Sequence, residues 1–151
     1  MKALGQKEVL TKEFIDFFEE DSDVKKGTCA DVLKYVSKDK PEIVVPYIDV
    51  LIEYINYKAP RVKWGVPESI GNLAQEYPEE VEKAIPNLLI NTKDKSTVVR
   101  WCSAFALTEI AKHNPKLQKD LALKFNVILK TEQNNGVKNV YLKALKTLEK
   151  K

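Results

Sequence analysis

Two tryptophans, Trp64 and Trp101, stand 37 positions apart in matched surroundings, "VKWG" and "VRWC". Each follows a lysine or arginine directly. An indole beside a fixed cation can stack on a nucleobase or grip an anionic peptide, so Trp64, Trp101, Lys63 and Arg100 are the first candidates for binding chemistry. The competing reading packs both rings against a neighbouring element. Signals for catalysis are weaker. His113 is the lone histidine, and it precedes "NP" near a helix end, where partial positive charge suits the helix dipole. Cys29 and Cys102 are far apart and in no CxxC or Cys/His pattern, so they read as small packing residues and not as a disulfide or zinc site. Glu79 and Glu80 are adjacent and splay apart on a helix, and no phosphate-cradling glycine loop, HExxH or GxSxG occurs. The sequence therefore predicts no catalytic residue, no metal site, no cofactor and no small-molecule substrate.

What must position the tryptophans is a repeat. The segments "VKKGTCADVLKYV", "VKWGVPESIGNLA", "VRWCSAFALTEIA" and "VKNVYLKALKTLE" align from Val24, Val62, Val99 and Val137. Eight positions into each comes Val32, Ile70, Leu107 or Leu145, and eleven positions in comes Tyr35, Leu73, Ile110 or Leu148. At 100° per residue these offsets share one stripe, which an amphipathic helix buries. A second set of helical stretches begins at Pro41, Pro78 and Pro115, again 37 apart. Proline fits a helix's first turn, where its missing N–H has no intrahelical partner to lose. The connections "SKDK", "QEY" and "KHN" are short enough to force antiparallel neighbours.

Each period is thus a helical hairpin whose apolar faces are buried only when neighbours stack on it. The expected fold is all-α, an α-α superhelix: a right-handed solenoid of antiparallel helix pairs with about seven or eight helices. Residues 1–151 form one domain. Residues 1–23 supply an N-terminal capping helix, repeats start near 24, 62 and 99, and a terminal half-repeat starts at 137. Pro67, close to Gly65, predicts a kinked or loosened first turn in its helix.

With these residues in place the chain resembles the HEAT-repeat family, whose units are helix pairs of about this length. That family's first helix typically reads Val-Arg, then small residues four and five positions after the Val, an aliphatic at eight, often Gly at nine and an apolar residue at eleven. Val99-Arg100, Ser103, Ala104, Leu107 and Ile110 follow this pattern, as do Val62-Lys63, Ile70, Gly71 and Leu73; Thr28 and Thr108 depart from it. The stretches "VVPYIDVL" and "AIPNLLIN" look like the family's second-helix signature. The resemblance spans residues 24–151.

It implies a non-catalytic scaffold or adaptor, with second helices lining a concave surface that binds a protein partner. Tyr47, Tyr54, Tyr57, Asn87, Asn91 and Lys124 are the residues expected to face outward there, tyrosine being a frequent interface anchor. Ordinary solvated surface is the alternative. A second reading is nucleic-acid binding by the basic C-terminal repeats. The chain is similar to HEAT-like DNA alkylation-repair glycosylases in carrying tryptophans and Arg/Lys at repeat starts. It is shorter and less basic, and no residue matches their catalytic acid.

Charge distribution adds a direction. The net charge is +3, yet residues 1–23 hold three lysines against seven acids while residues 96–151 hold eleven Lys or Arg against four acids. Such polarity would steer an acidic partner or a nucleic acid to the C-terminal part, or favour head-to-tail self-association. A composition of 44% apolar and 31% charged residues excludes disordered and collagen-like classes. No apolar run approaches the roughly 18 residues of a membrane span. The N-terminus is interrupted by charge every few residues, unlike a signal peptide, so a cytoplasmic protein is expected.

Overall fold

The structure, a computed structural model, describes Asp16 and residues 22–150. In chain order its elements are α1 (Asp23–Asp39), α2 (Pro41–Val44), a 3-10 turn (Val45–Tyr47), α3 (Ile48–Tyr54), α4 (Pro60–Leu73), a 3-10 turn (Glu80–Ala84), α5 (Ile85–Asn91), α6 (Thr97–His113), a 3-10 turn (Pro115–Leu117), α7 (Gln118–Thr131) and α8 (Asn135–Glu149). Among the described residues there is no strand, and no helix is long and apolar enough to cross a membrane. The capping helix expected over residues 1–23 lies almost entirely outside the described residues.

The first helices of successive repeats are α1, α4, α6 and α8. They begin one or two residues before the aligned valines because the caps lie there. Ser22, Ser96 and Asn134 accept hydrogen bonds from the backbone N–H groups of Lys25, Val99 and Val137, satisfying donors that a helix start leaves unpaired. Helix α4 has no side-chain cap and opens on Pro60 instead. Because it starts there, Pro67 falls in the helix interior, buried, and the helix runs unbroken from Pro60 to Leu73. The loosened first turn expected from Pro67 is therefore misplaced: its missing N–H leaves the Lys63 carbonyl without an i+4 donor in mid-helix. The second segments are less regular. Pro46 sits in the 3-10 turn that splits α2 from α3, and Pro86 is the second residue of α5, directly after another 3-10 turn. In both, a ring that cannot donate interrupts the ladder.

Three of the four leading valines share one environment. Val62, Val99 and Val137 are buried, whereas Val24 is 72% exposed. Tyr35, expected on the apolar stripe of α1, is 69% exposed. The stripe that α1 buries is Cys29, Leu33 and the partly buried Val36, in register at a spacing of 37 with Val66, Ile70 and Leu73 and then with Ser103, Leu107 and Ile110. The first repeat is thus one residue out of the expected phase. Lys25 takes the leading position, and Lys26 folds under the Tyr57 ring with its Nζ 5.6 Å from the centroid. A one-residue slip turns a helix by 100°, which carries Val24 and Tyr35 to the outside.

The first helices form the more extensive of the two layers. Successive first helices, α1 on α4, α4 on α6 and α6 on α8, share the broadest interfaces in the molecule. The second segments meet chiefly where α3 touches the turn at Glu80–Ala84. Two glycines permit the close approach. A Cβ on Gly65 would lie 2.7 Å from the Ala30 carbonyl oxygen, and one on Gly71 would lie 2.6 Å from the Phe105 ring.

Candidate functional site

The cations of the expected ridge are already engaged. Lys63 pairs with Asp94 at 2.7 Å, and Arg100 pairs with Glu132 at 2.9 Å. Asp94 and Glu132 each lie two residues before the cap of the next first helix, and each carboxylate also accepts from the backbone N–H of that cap, Ser96 at 2.8 Å and Asn134 at 2.9 Å. Arg100 donates further to the carbonyls of Asp94 and Lys95. One motif is therefore copied in two repeats: a base on a first helix grips the acid that sets the next helix's start. At the equivalent place in the first repeat stands Tyr57, whose hydroxyl donates to Asp23. Lys63 and Arg100 hold repeats together, so both cations of the ridge weighed from sequence are paired.

Burial alone would push the Asp94 carboxyl up. The hydrogen bonds from Lys63 and the Ser96 N–H, with the Lys63 charge, outweigh it and hold the group below its ordinary value. Glu132 behaves likewise, burial being opposed by the hydrogen bond and charge of Arg100 and by the Asn134 N–H. A carboxyl depressed on folding stabilises the native state above its unfolded pKa, near 4, and that contribution is lost as pH falls through the lower folded value. Stability should therefore be flat from pH 7 to about 5 and decline below about 4. Urea titrations at stepped pH check this, and Glu132→Gln should show a shallower acid decline than the parent.

The polar residues expected on the second-helix face are also consumed internally. Asn87 Nδ2 donates to the Ile52 carbonyl at 2.9 Å, and Asn91, 2% exposed, donates to the Ile55 carbonyl at 2.7 Å. Asn56 returns bonds to the Asn87 carbonyl and to Asn91 Oδ1. These amides tie α3 and the residues that follow it to α5. Tyr47, Tyr54 and Tyr57 are partly buried against the core, and Lys124 sits 3.5 Å from Asp120 on its own helix. The Lys124 side chain is 41% exposed.

The tryptophans differ from each other. Trp101 is 39% exposed and lies parallel to Phe105, with 5.9 Å between centroids and 2° between planes. Trp64 is half-buried, and its Nε1 is enclosed without a hydrogen-bond partner among the described residues. Phe105 leans back over Gly71 on α4, the neighbour whose missing side chain makes room for it. Glu68 on α4, 37 positions before Phe105, is half-buried and in no ion pair among the described residues. Burial first, then the negative charge of Glu68, pushes the Cys102 thiol up to about 12, with the positive charge of Lys34 pulling the other way. The two other acids of this face are matched: Asp31 with Arg61 at 2.6 Å, and Glu109 with Lys112 at 2.8 Å. Phe105 escaped the sequence reading, which had Glu68 only as a carboxylate with no evident partner. The signal available was the one-turn spacing of Trp101 and Phe105 and the 37-residue equivalence of Phe105 and Glu68.

No family model matches the sequence. Solved structures do match in fold. Two engineered proteins superpose with TM-scores of 0.81 and 0.78 at 17% and 15% identity, each over 93% of this chain and over 64% and 62% of their own. A designed armadillo repeat protein in complex with the peptide (KR)4 superposes with a TM-score of 0.77 at 15% identity, over 89% of this chain and 62% of its own. The chain is a helical repeat solenoid. It spans a little under two thirds of the length of these structures.

On the first-helix layer, the Trp101–Phe105 stack offers a flat apolar surface with π density, and Glu68 on the adjacent first helix offers a negative charge at the position equivalent to Phe105. A planar or cationic side chain laid over the stack would gain cation–π attraction and a counter-charge together. Among the described residues no cluster of His, Cys, Asp and Glu is arranged to hold a metal ion.

Proposed function

We propose that the chain is a non-catalytic, HEAT-like scaffold that holds an extended segment of a protein partner on its first-helix face, with a lysine or arginine of that segment over Trp101 and Phe105. The carrying observation is the 39%-exposed Trp101 lying parallel to Phe105 on the first-helix layer, with Glu68 at the position equivalent to Phe105 on the neighbouring first helix. The HEAT assignment is supported by the Val-Arg and Val-Lys starts at Val99 and Val62, whose bases bridge to the following repeat. A designed repeat protein of the same fold carries a Lys/Arg peptide, which supports an extended cationic ligand. Nucleic-acid binding loses its best support, since Lys63 and Arg100 are paired. Two buried cysteines with no disulfide between them, Cys29 and Cys102, suit a reducing compartment such as the cytoplasm.

Fluorescence anisotropy of labelled (KR)4 peptide tests the reading. Saturable binding to the parent, weakened about five-fold or more in Trp101→Ala and in Glu68→Gln, is expected from losing roughly 1 kcal/mol of cation–π or ionic contact. No binding, or equal affinity in both variants, overturns it. A duplex DNA that shifts at low salt, with the peptide failing to bind, would return the nucleic-acid reading.

A further inference from the structure

The first interval between first helices holds an internal precedent for a base on this layer. Arg61 on α4 reaches back to Asp31 on α1, Nη2 to Oδ2 at 2.6 Å, with both side chains 42% exposed. Its guanidinium folds over Gly27, where an added Cβ would stand 3.1 Å from Nη1 and 3.2 Å from Cζ. It donates also to Thr28 Oγ1 at 3.5 Å.

Stacked repeats give equivalent positions equivalent neighbours, so the next interval can be compared residue by residue. Thirty-seven positions on, Asp31 becomes Glu68, Arg61 becomes Val98 and Gly27 becomes Trp64. The acid is kept, but its base has been replaced by a valine that is 48% exposed. An indole is attached where the first interval has bare backbone. In the third interval the acid and base positions are Phe105 and Gly136, neither of them charged. Among the described residues, α4–α6 is thus the one interval that keeps this acid without its arginine. Lys34 does not fill the role: its Nζ lies 5.1 Å from the Tyr35 ring centroid, and it forms no ion pair with Glu68.

A guanidinium suits this vacancy better than an ammonium. It is planar and weakly hydrated, and its fork of donors matches a carboxylate, so it can pair with Glu68 while lying against aromatic rings. A lysine head is a compact, strongly hydrated point charge and gains little from the flat surface. We propose that the ligand residue seated between α4 and α6 is an arginine and not a lysine. Its guanidinium takes in trans the place that Arg61 takes in cis, paired with Glu68 and bordered by Val98 and Trp101, which are one turn apart on α6. The inference rests on the peptide reading above and narrows it from either base to one. Val98 is then the residue that keeps the seat open.

An all-lysine peptide matched to (KR)4 in length and charge separates the two bases, since only the guanidinium groups differ. In anisotropy titrations of the full chain it should bind about ten-fold or more weakly than (KR)4, as expected when a forked, stacked contact is lost. Val98→Arg restores the residue found one repeat earlier and lets the chain fill its own seat. That variant should bind (KR)4 about ten-fold more weakly than the parent does and bring the two peptides within about two-fold of each other. Val98→Met, which adds length without charge, should keep the parent's preference. Position 98 is exposed, so both variants should retain the parent's far-UV circular dichroism spectrum. Equal affinity of the two peptides for the parent overturns the inference and leaves the peptide reading standing. A preference that survives in Val98→Arg, or disappears in Val98→Met, also overturns the inference alone. Binding of neither peptide overturns both.

Discussion

Replacing Glu132 by alanine lowers the unfolding free energy by about 3 kcal/mol, the low end of the range for stripping one partner from a buried ion pair. The Glu132 side chain is 3% exposed and that of Arg100 is 18% exposed, so solvent cannot easily take over the vacated role. The loss is compound. Arg100 keeps its bonds to two carbonyls but has no counter-ion, and the Asn134 N–H at the start of α8 loses its acceptor. In a chain of this size the midpoint of thermal unfolding should fall by about 6–12 °C. A cycle with Arg100→Met separates the pair from the burial: the double variant should recover part of the loss, because removing both charges leaves neither one uncompensated. Urea unfolding measures all four corners, and a single-variant loss below 1 kcal/mol would show that the staple is ornamental. Asp94, whose side chain is 15% exposed against a lysine, should show the same pattern at a smaller size.

Gly65→Ala is the second large effect, and two opposed magnitudes decide its sign. In an exposed helix interior the change would stabilise by about 1 kcal/mol, since alanine loses less backbone freedom on folding. Here the new Cβ would stand 2.7 Å from the Ala30 carbonyl oxygen and 2.8 Å from the Ala30 carbonyl carbon. The obstacle is backbone and cannot rotate away, so α1 and α4 must separate along the tight layer. Overpacking of that kind costs up to about 3 kcal/mol, leaving a net destabilisation of about 2 kcal/mol. Gly71→Ala, whose obstacle is mainly the Phe105 ring, should cost less in stability and more in the aromatic stack. Thermal unfolding of the two variants side by side checks the order, and a stabilised Gly65→Ala would mean that the layers are looser than described.

The repeat itself was legible because it rests on local periodicity: stripes at Val62, Ile70, Leu73 and at Val99, Leu107, Ile110 show within a single window. Phase in the first repeat was less legible. The dipeptide Val24-Lys25 imitates the later repeat starts, yet burial is set by the neighbour that α1 packs against, and that contact selects Cys29, Leu33 and Val36. Illegible for a stronger reason were the partners of Lys63, Arg100, Asn87 and Asn91. Each lies more than thirty residues away, on a surface created only by stacking, so a residue that reads as a free polar head is a structural tie. The same blindness reversed the charge of the candidate face. Once Arg100 and Lys63 are matched by Glu132 and Asp94, what remains unpaired on the helix next to α6 is Glu68. The close approach of the first helices was likewise hidden, because Gly65 and Gly71 show their use only when another helix lies against them.

That reversal carries the functional account, and mapping the bound peptide onto the chain tests it most directly. Backbone amide chemical-shift changes on titrating unlabelled (KR)4 peptide into isotope-labelled protein should cluster at Trp101, Phe105 and Glu68 on α6 and α4, with α5 and α7 nearly unmoved. Changes concentrated on the second helices, or none at saturating peptide, would contradict it.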